Sequence, residues 1–109
     1  MENHSTRLDL AFAALSDPTR RAIVGRLCEG EKSVSALAEP FDLTLPTLLK
    51  HVGILERSGI VTTQKQGRVR TCRIVPAVLQ ETEHWISRHI AEWESRLDRL
   101  EAHIDSMKE

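Results

Sequence analysis

Apolar residues recur every three or four positions through the first part of the chain. They alternate over a short middle stretch, then return to helical spacing up to the C-terminal end. This pattern predicts helices, a hairpin and a final long helix. Thr6–Leu15 places Leu8, Ala11, Phe12 and Leu15 on one face of a short helix. Ser16-Asp17-Pro18 stops it and starts a second helix, Thr19–Cys28, with Ala22, Ile23 and Leu27 inward and Arg20, Arg21 and Arg26 outward. Lys32–Val34 reads as no more than an extended stub, after which Ser35 caps a two-turn helix over Ala36–Glu39. Pro40-Phe41-Asp42 then turns into residues 43–58. There Leu45, Leu48, Val52 and Leu55 form one apolar stripe, Thr44 is placed to cap, Pro46 lies in the first turn, and Gly59 lies just beyond the end. A short helix, a tight turn and a longer helix of mixed face make a helix-turn-helix pattern.

Beyond Gly59 the period changes. Ile60–Gln64 is rich in β-branched residues, and Val69–Val75 alternates, with Val69, Thr71, Arg73 and Val75 on one face and Arg70, Cys72 and Ile74 on the other. Lys65-Gln66-Gly67-Arg68 joins them, which predicts a β-hairpin with a basic tip and Gly67 available for positive φ. A hairpin directly after a helix-turn-helix is a wing. From Ala77 to about residue 107 no helix breaker occurs, and Ile86, Ile90, Trp93, Leu97, Leu100, Ile104 and Met107 are spaced 4, 3, 4, 3, 4, 3. A seam this regular, on a helix too long for its own small domain to cover, predicts a partner, most simply a second copy. The expected fold is therefore mainly α with a small β-hairpin. It is a single winged helix-turn-helix domain over 1–109, with a core of about 6–75 and a C-terminal dimerisation helix of about 77–107.

Charge sharpens this picture. The formal net charge of −1 hides an asymmetry: residues 1–75 carry 11 Lys/Arg against 8 Asp/Glu, and residues 76–109 carry 4 against 8. Lys65, Arg68, Arg70 and Arg73 fall within 60–75, which holds no acid. A polyanion is attracted there, and the polar face of 43–58, with Thr44, Thr47, Lys50 and His51, suits the same partner. Thr47 and Lys50 are expected to reach base edges or phosphates, and Lys65, Arg68 and Arg70 the backbone or minor groove of double-stranded DNA. His51 is open to either a DNA contact or a local hydrogen bond. Arg20 and Arg21 are open to a backbone contact or a structural salt bridge.

Other chemistry is thin. No apolar run approaches the roughly 20 residues of a membrane span, and Met1–Asp9 is polar, so a cytoplasmic protein is expected. No nucleophile–base set, Gly-rich phosphate loop or paired carboxylate suggests an enzyme, and no cofactor or metal is expected. Cys28 and Cys72 are either a redox pair, with Arg70 and Arg73 near Cys72, or two packed thiols. His89 with Glu92, or His103 with Asp105, could be half of a metal site bridging two copies. Trp85 and Trp93 fit a dimer core or a ligand pocket.

The stretches LSDPTRRAIVGRL (15–27), SVSALAEPFDLTLPTLLKHVGILERSGIV (33–61) and QGRVRTCRI (66–74) resemble the ArsR-type family of bacterial winged helix-turn-helix regulators. The resemblance covers about Ala11 to Val75. It implies a homodimer held by the first and last helices, here through Leu8, Phe12, Ile86, Ile90, Trp93, Leu97, Leu100 and Ile104, with recognition helices in successive major grooves. It also implies a repressor. Metal-sensing members carry a cysteine box where this chain has Ser33-Val34-Ser35-Ala36-Leu37, without a thiol. Others use an Asp-x-His pair upstream of a His-x-x-Glu. Here His89-x-x-Glu92 supplies the second half, but the upstream positions are Pro76 and Val78. The chain thus looks like a metal-free subgroup. Two further departures fall on the recognition helix. Leu49 stands where a small polar residue is usual, suited to a thymine methyl or to weak base readout, and Gly53 stands where Arg or Lys is usual. Alternatives of the same fold are a thiol- or metal-responsive repressor, or an interaction module that has lost DNA binding.

Overall fold

Asp17 and Thr44 each end a turn in an extended conformation and cap the helix that follows, and these two caps set the frame of the N-terminal half. The computed structural model describes residues 4–108; the remaining ends of the expected 1–109 domain lie outside the described residues. In chain order the elements are α1 (His4–Leu15), α2 (Pro18–Leu27), β1 (Lys32–Ser33), α3 (Val34–Ala38), α4 (Leu45–Arg57), β2 (Val61–Gln66), β3 (Val69–Ile74) and α5 (Pro76–Met107). The mainly α winged helix-turn-helix architecture is as expected. The core is made by Ala11 and Ala14 of α1, Ile23 and Leu27 of α2, Val34 and Leu37 of α3, Leu48, Val52 and Leu55 of α4, Ile60 just before β2, and Val61 and Cys72 of the sheet.

The stub at 32–33 is a true strand. It pairs antiparallel with β3, Lys32 opposite Cys72 and Ser33 opposite Thr71, so the sheet has three strands in the order β1-β3-β2. This moves the start of α3. Ser33, not Ser35, is the cap: its backbone is extended and its Oγ accepts the Ala36 N–H at 3.1 Å. The helix therefore begins at Val34, whose side chain is buried. The strand and the cap share Ser33, which the isolated sequence could not reveal because two residues carry no periodicity.

The hairpin is longer than expected. Lys65 and Gln66 belong to β2, and only Gly67-Arg68 make the turn. Gly67 has φ of 60° while no non-glycine residue among the described residues has positive φ, which fits a turn with glycine at its first central position. The end of α4 follows the expectation closely. Gly59 has φ of 84°, its N–H donates to Glu56 O at 3.0 Å, and the next N–H, of Ile60, donates to Leu55 O at 3.1 Å. That is a Schellman C-cap. A Cβ at Gly59 would lie 2.9 Å from Val78 Cγ2 of α5, so the same residue ends α4 and admits α5.

Several expected placements change. Leu45 and Ala22 are exposed, not inward. Cys28 is exposed too, because α2 ends at Leu27 and Cys28 is only its C-cap. The outward arginines of α2 instead satisfy carbonyls. Arg20 donates to Ala13 O and Ala14 O, Arg21 to Leu15 O, and Arg26 to Ala36 O and Leu37 O, at 2.7–3.2 Å. Helix C-termini leave carbonyls without intrahelical partners, and these guanidiniums tie the ends of α1 and α3 to α2.

At its N-terminal end α5 lies against α1. Arg7 pairs with Glu81 at 3.3 Å, and Phe12 meets Trp85 edge to face with ring centroids 5.6 Å apart. From Glu83 onward every described residue of α5 is exposed. The molecule measures 74 × 34 × 21 Å with a radius of gyration of 19.6 Å, against about 13 Å for a compact chain of this length. A 32-residue helix is about 48 Å long, and its outer part accounts for the elongation.

Candidate nucleic-acid interface

The recognition surface is built by α4 and the wing. Thr44 caps α4: its Oγ1 accepts the Thr47 N–H at 3.3 Å, and its hydroxyl donates to Thr47 Oγ1 at 2.9 Å. This orders both hydroxyls at the N-terminal end of α4, where the first N–H groups favour an anion. Thr44, Thr47, Leu49 and Lys50 are all exposed. Lys65, Arg68 and Arg70 are exposed on the wing. A groove of about 510 Å³ runs between the two, lined by Leu45 and Leu49 of α4 and by Lys65, Arg68, Val69 and Arg70 of the wing. Glu56 also lines it, with its Oε2 accepting from Thr63 Oγ1 at 2.7 Å. The groove is thus cationic on the wing wall, and the α4 wall is aliphatic apart from Glu56. Thr44, Thr47, Lys50 and His51 do not line it. Leu45, Val69 and the Ser33–Ser35 stretch were not among the expected site residues. Alternation in β3 put Val69 on one face but could not say that this face meets α4.

His51 takes a local partner. It is half-buried, its Nδ1 is 3.2 Å from Arg20 Nη1, and Asp17 Oδ2 lies 3.9 Å from the same nitrogen. A guanidinium only donates, so Nδ1 is the acceptor in this contact. Asp17 sits below the usual carboxylate range, held there first by the Arg20 backbone N–H it accepts and then by the Arg20 charge. Arg20 therefore connects α1, the α2 cap and α4. The sequence hinted at this only through the Asp17 cap and the arginine three residues later.

The two thiols do not make a pair of reactive groups. Cys72 is fully buried in β3, and burial pushes its thiol up, with Glu56 adding to the rise. A thiol held protonated is a poor nucleophile. Among the described residues no three His, Cys, Asp or Glu side chains gather to hold a metal ion. His89 Nδ1 donates to Trp85 O at 2.8 Å, and its ring stacks on Trp85 with centroids 4.1 Å apart. No helix among the described residues is long and apolar enough to cross a membrane.

A helix-turn-helix whose second helix stays exposed beside a cationic hairpin defines a winged-helix DNA-binding protein. Comparison with known proteins agrees. The helix-turn-helix domain family matches residues 15–64. The chain is 30% identical over 79 residues to the transcriptional repressor SdpR of Bacillus subtilis (strain 168), covering 72% of this chain and 88% of that protein. A crystal structure of an ArsR family transcriptional regulator superposes with a TM-score of 0.81 at 47% identity, covering 87% of this chain and 98% of the other. An ArsR-like transcriptional regulator from Rhodococcus sp. RHA1 gives 0.75 at 34% identity, covering 88% and 91%. The chain belongs to the ArsR-type family of winged helix-turn-helix transcriptional regulators. It is a DNA-binding protein and not an enzyme.

Proposed function

We propose that the protein is a cytoplasmic, homodimeric repressor that binds a two-fold symmetric operator in double-stranded DNA. The observation that carries this reading is the opposition of two surfaces. The α4–wing face is cationic, and α5 from Ile86 onward presents Ile86, Ile90, Trp93, Leu97, Leu100 and Ile104 to solvent on one heptad seam. Exposed apolar stripes of this length mark an interface, and a second copy supplies the matching seam at no further cost in sequence. Leu8 and Phe12 extend the same interface from α1. The whole chain then acts as one winged-helix domain, about 6–75, carried on a dimerisation helix of about 77–107. Two copies joined this way present two α4 helices, one to each half-site. Thr47 and Lys50 meet base edges or phosphates, and Thr44 meets a phosphate at the N-terminal end of α4. Lys65, Arg68 and Arg70 hold the backbone beside the groove. His51, fixed by Arg20, offers its Nε2–H as a donor at the edge of that face.

A salt titration tests the wing. Lys65→Ala and Arg68→Ala should each weaken binding to every duplex and flatten the slope of log affinity against log salt by about 0.9. A slope unchanged with both removed overturns the assignment of the wing to phosphate. A protein that sediments as a monomer at micromolar concentration and at its DNA-binding concentration overturns the dimer.

A further inference from the structure

The face that α4 turns toward DNA is only partly polar. Leu45 and Leu49 lie one turn apart and are 48% and 37% exposed, and Val69 lines the same groove at 53%. The fold has no need of these side chains there, because Leu48, Val52 and Leu55 already close the core beneath α4. A phosphate backbone has no need of them either, since Lys65, Arg68 and Arg70 line the same groove. Gly53 continues the line of Leu45 and Leu49 by one more turn. A Cβ there would meet nothing within 4 Å, so the line ends in open space, with Glu56 beside it.

In the major groove the C5 methyl of thymine is the aliphatic group that a base edge presents. We propose that Leu45 and Leu49 read thymine methyls, and that thymines facing the first two turns of α4 supply much of the operator's sequence discrimination. The inference rests on α4 entering the major groove. The hydroxyls and amine around the leucines position α4, and the leucines select. A side chain that buries a methyl gains by the transfer of that methyl from water, and the gain needs no donor–acceptor match. It therefore rewards thymine over cytosine and over uracil-like edges alike.

The test begins by selecting duplexes from a random pool with the full-length protein. Each thymine of a selected duplex is then replaced by deoxyuridine, which removes only the C5 methyl. At one or more positions in each half-site this should weaken binding about fourfold per methyl. Leu49→Ala and Leu45→Ala should bind the thymine duplex more weakly and show no penalty at the position each one reads. Both residues are exposed, so circular dichroism and the thermal midpoint should match the parent chain. Salt-dependent binding that is indifferent to every deoxyuridine, or selected half-sites without thymine, overturns the inference and leaves DNA binding intact. So does a methyl penalty that survives in both variants. If decanoate displaces the duplex from a methyl-indifferent protein, and Leu49→Ala resists it, the groove serves a small amphipathic anion instead, which also overturns the inference. Failure to retain any duplex would overturn the DNA reading itself.

Discussion

Leu97→Glu separates the dimer from the domain. Leu97 is 44% exposed near the middle of the α5 seam, far from the residues that close the core. If a second copy covers it, the change removes about 1 kcal/mol of apolar burial per chain, or about 2 kcal/mol per symmetric dimer. Placing a carboxylate in a desolvated apolar seam without a partner costs roughly 3 kcal/mol more. The total of about 5 kcal/mol corresponds to a dimer Kd raised by roughly three to four powers of ten. Within one protomer the cost is much smaller. Glu and Leu are both good helix formers, and the new charge faces Glu94 and Glu101 at i−3 and i+4 for about 0.3 kcal/mol each. Sedimentation equilibrium from nanomolar to micromolar concentration measures the dimer Kd, and far-ultraviolet circular dichroism checks that the helices persist. DNA affinity should fall together with dimerisation, because one bound protomer no longer delivers a second to the adjacent half-site. A Kd within threefold of the parent, with helicity retained, refutes the seam as the interface.

Three further outcomes follow from local geometry. Gly59→Ala should destabilise by roughly 1–3 kcal/mol, since φ of 84° and the Val78 methyl both oppose a Cβ. Gly53→Ala, in the interior of α4 with open space around it, should stabilise by about 0.5–1 kcal/mol; chemical denaturation measures both, and equal effects would contradict the cap geometry. In the native protein an alkylating agent should modify Cys28 and spare Cys72. Because burial raises the Cys72 thiol above its ordinary 9.0, its protonated form is favoured in the fold. Stability is then insensitive to this group below about pH 9 and falls as pH rises beyond it, where the unfolded thiol ionises first; Cys72→Ala should remove that part of the decline. Arg20→Ala should weaken DNA binding by loosening His51 and the end of α1 while leaving the salt slope unchanged. A slope reduced by about one unit would instead make Arg20 a phosphate contact.

Periodicity carried most of the architecture, because helices longer than two turns and alternating strands bury one face and so write that face into the chain. The α4 caps at Thr44 and Gly59, the buried Cys72 and the α5 seam were all legible in this way. The two-residue strand at Lys32–Ser33 was not, since it exists only through its pairing with β3. That pairing moved the α3 cap from Ser35 to Ser33. Leu45 was misplaced for a related reason. Helical spacing put it on the stripe of Leu48 and Val52, but at the first position of α4 it projects past the core into the groove beside the wing. The arginines of α2 looked outward by pattern, yet long side chains reach back to the carbonyl ends of neighbouring helices, and spacing along one helix says nothing about another helix's terminus.

These arginines also bear on how a seam on α5 can set the position of α4. Trp85 of α5 rests on Phe12, and the two residues that follow Phe12 in α1, Ala13 and Ala14, offer their carbonyls to Arg20. The same guanidinium holds His51, in the middle of the recognition helix. Asp17 anchors Arg20 from below through the backbone N–H it accepts. The path from α5 to α4 therefore runs through one ring contact and one guanidinium, without passing through the wing. In the proposed dimer such a link would matter, because two α4 helices would have to match a half-site spacing of about 34 Å and any looseness between α5 and α4 in one protomer would be doubled in the pair. The wing, by contrast, is tied to the core at its base by Cys72, Val61 and Ile74, and is exposed from Gln64 to Arg70. It suits contacts with phosphate, which are set by charge and tolerate small displacements, whereas the leucines and threonines of α4 need the registration that Arg20 provides.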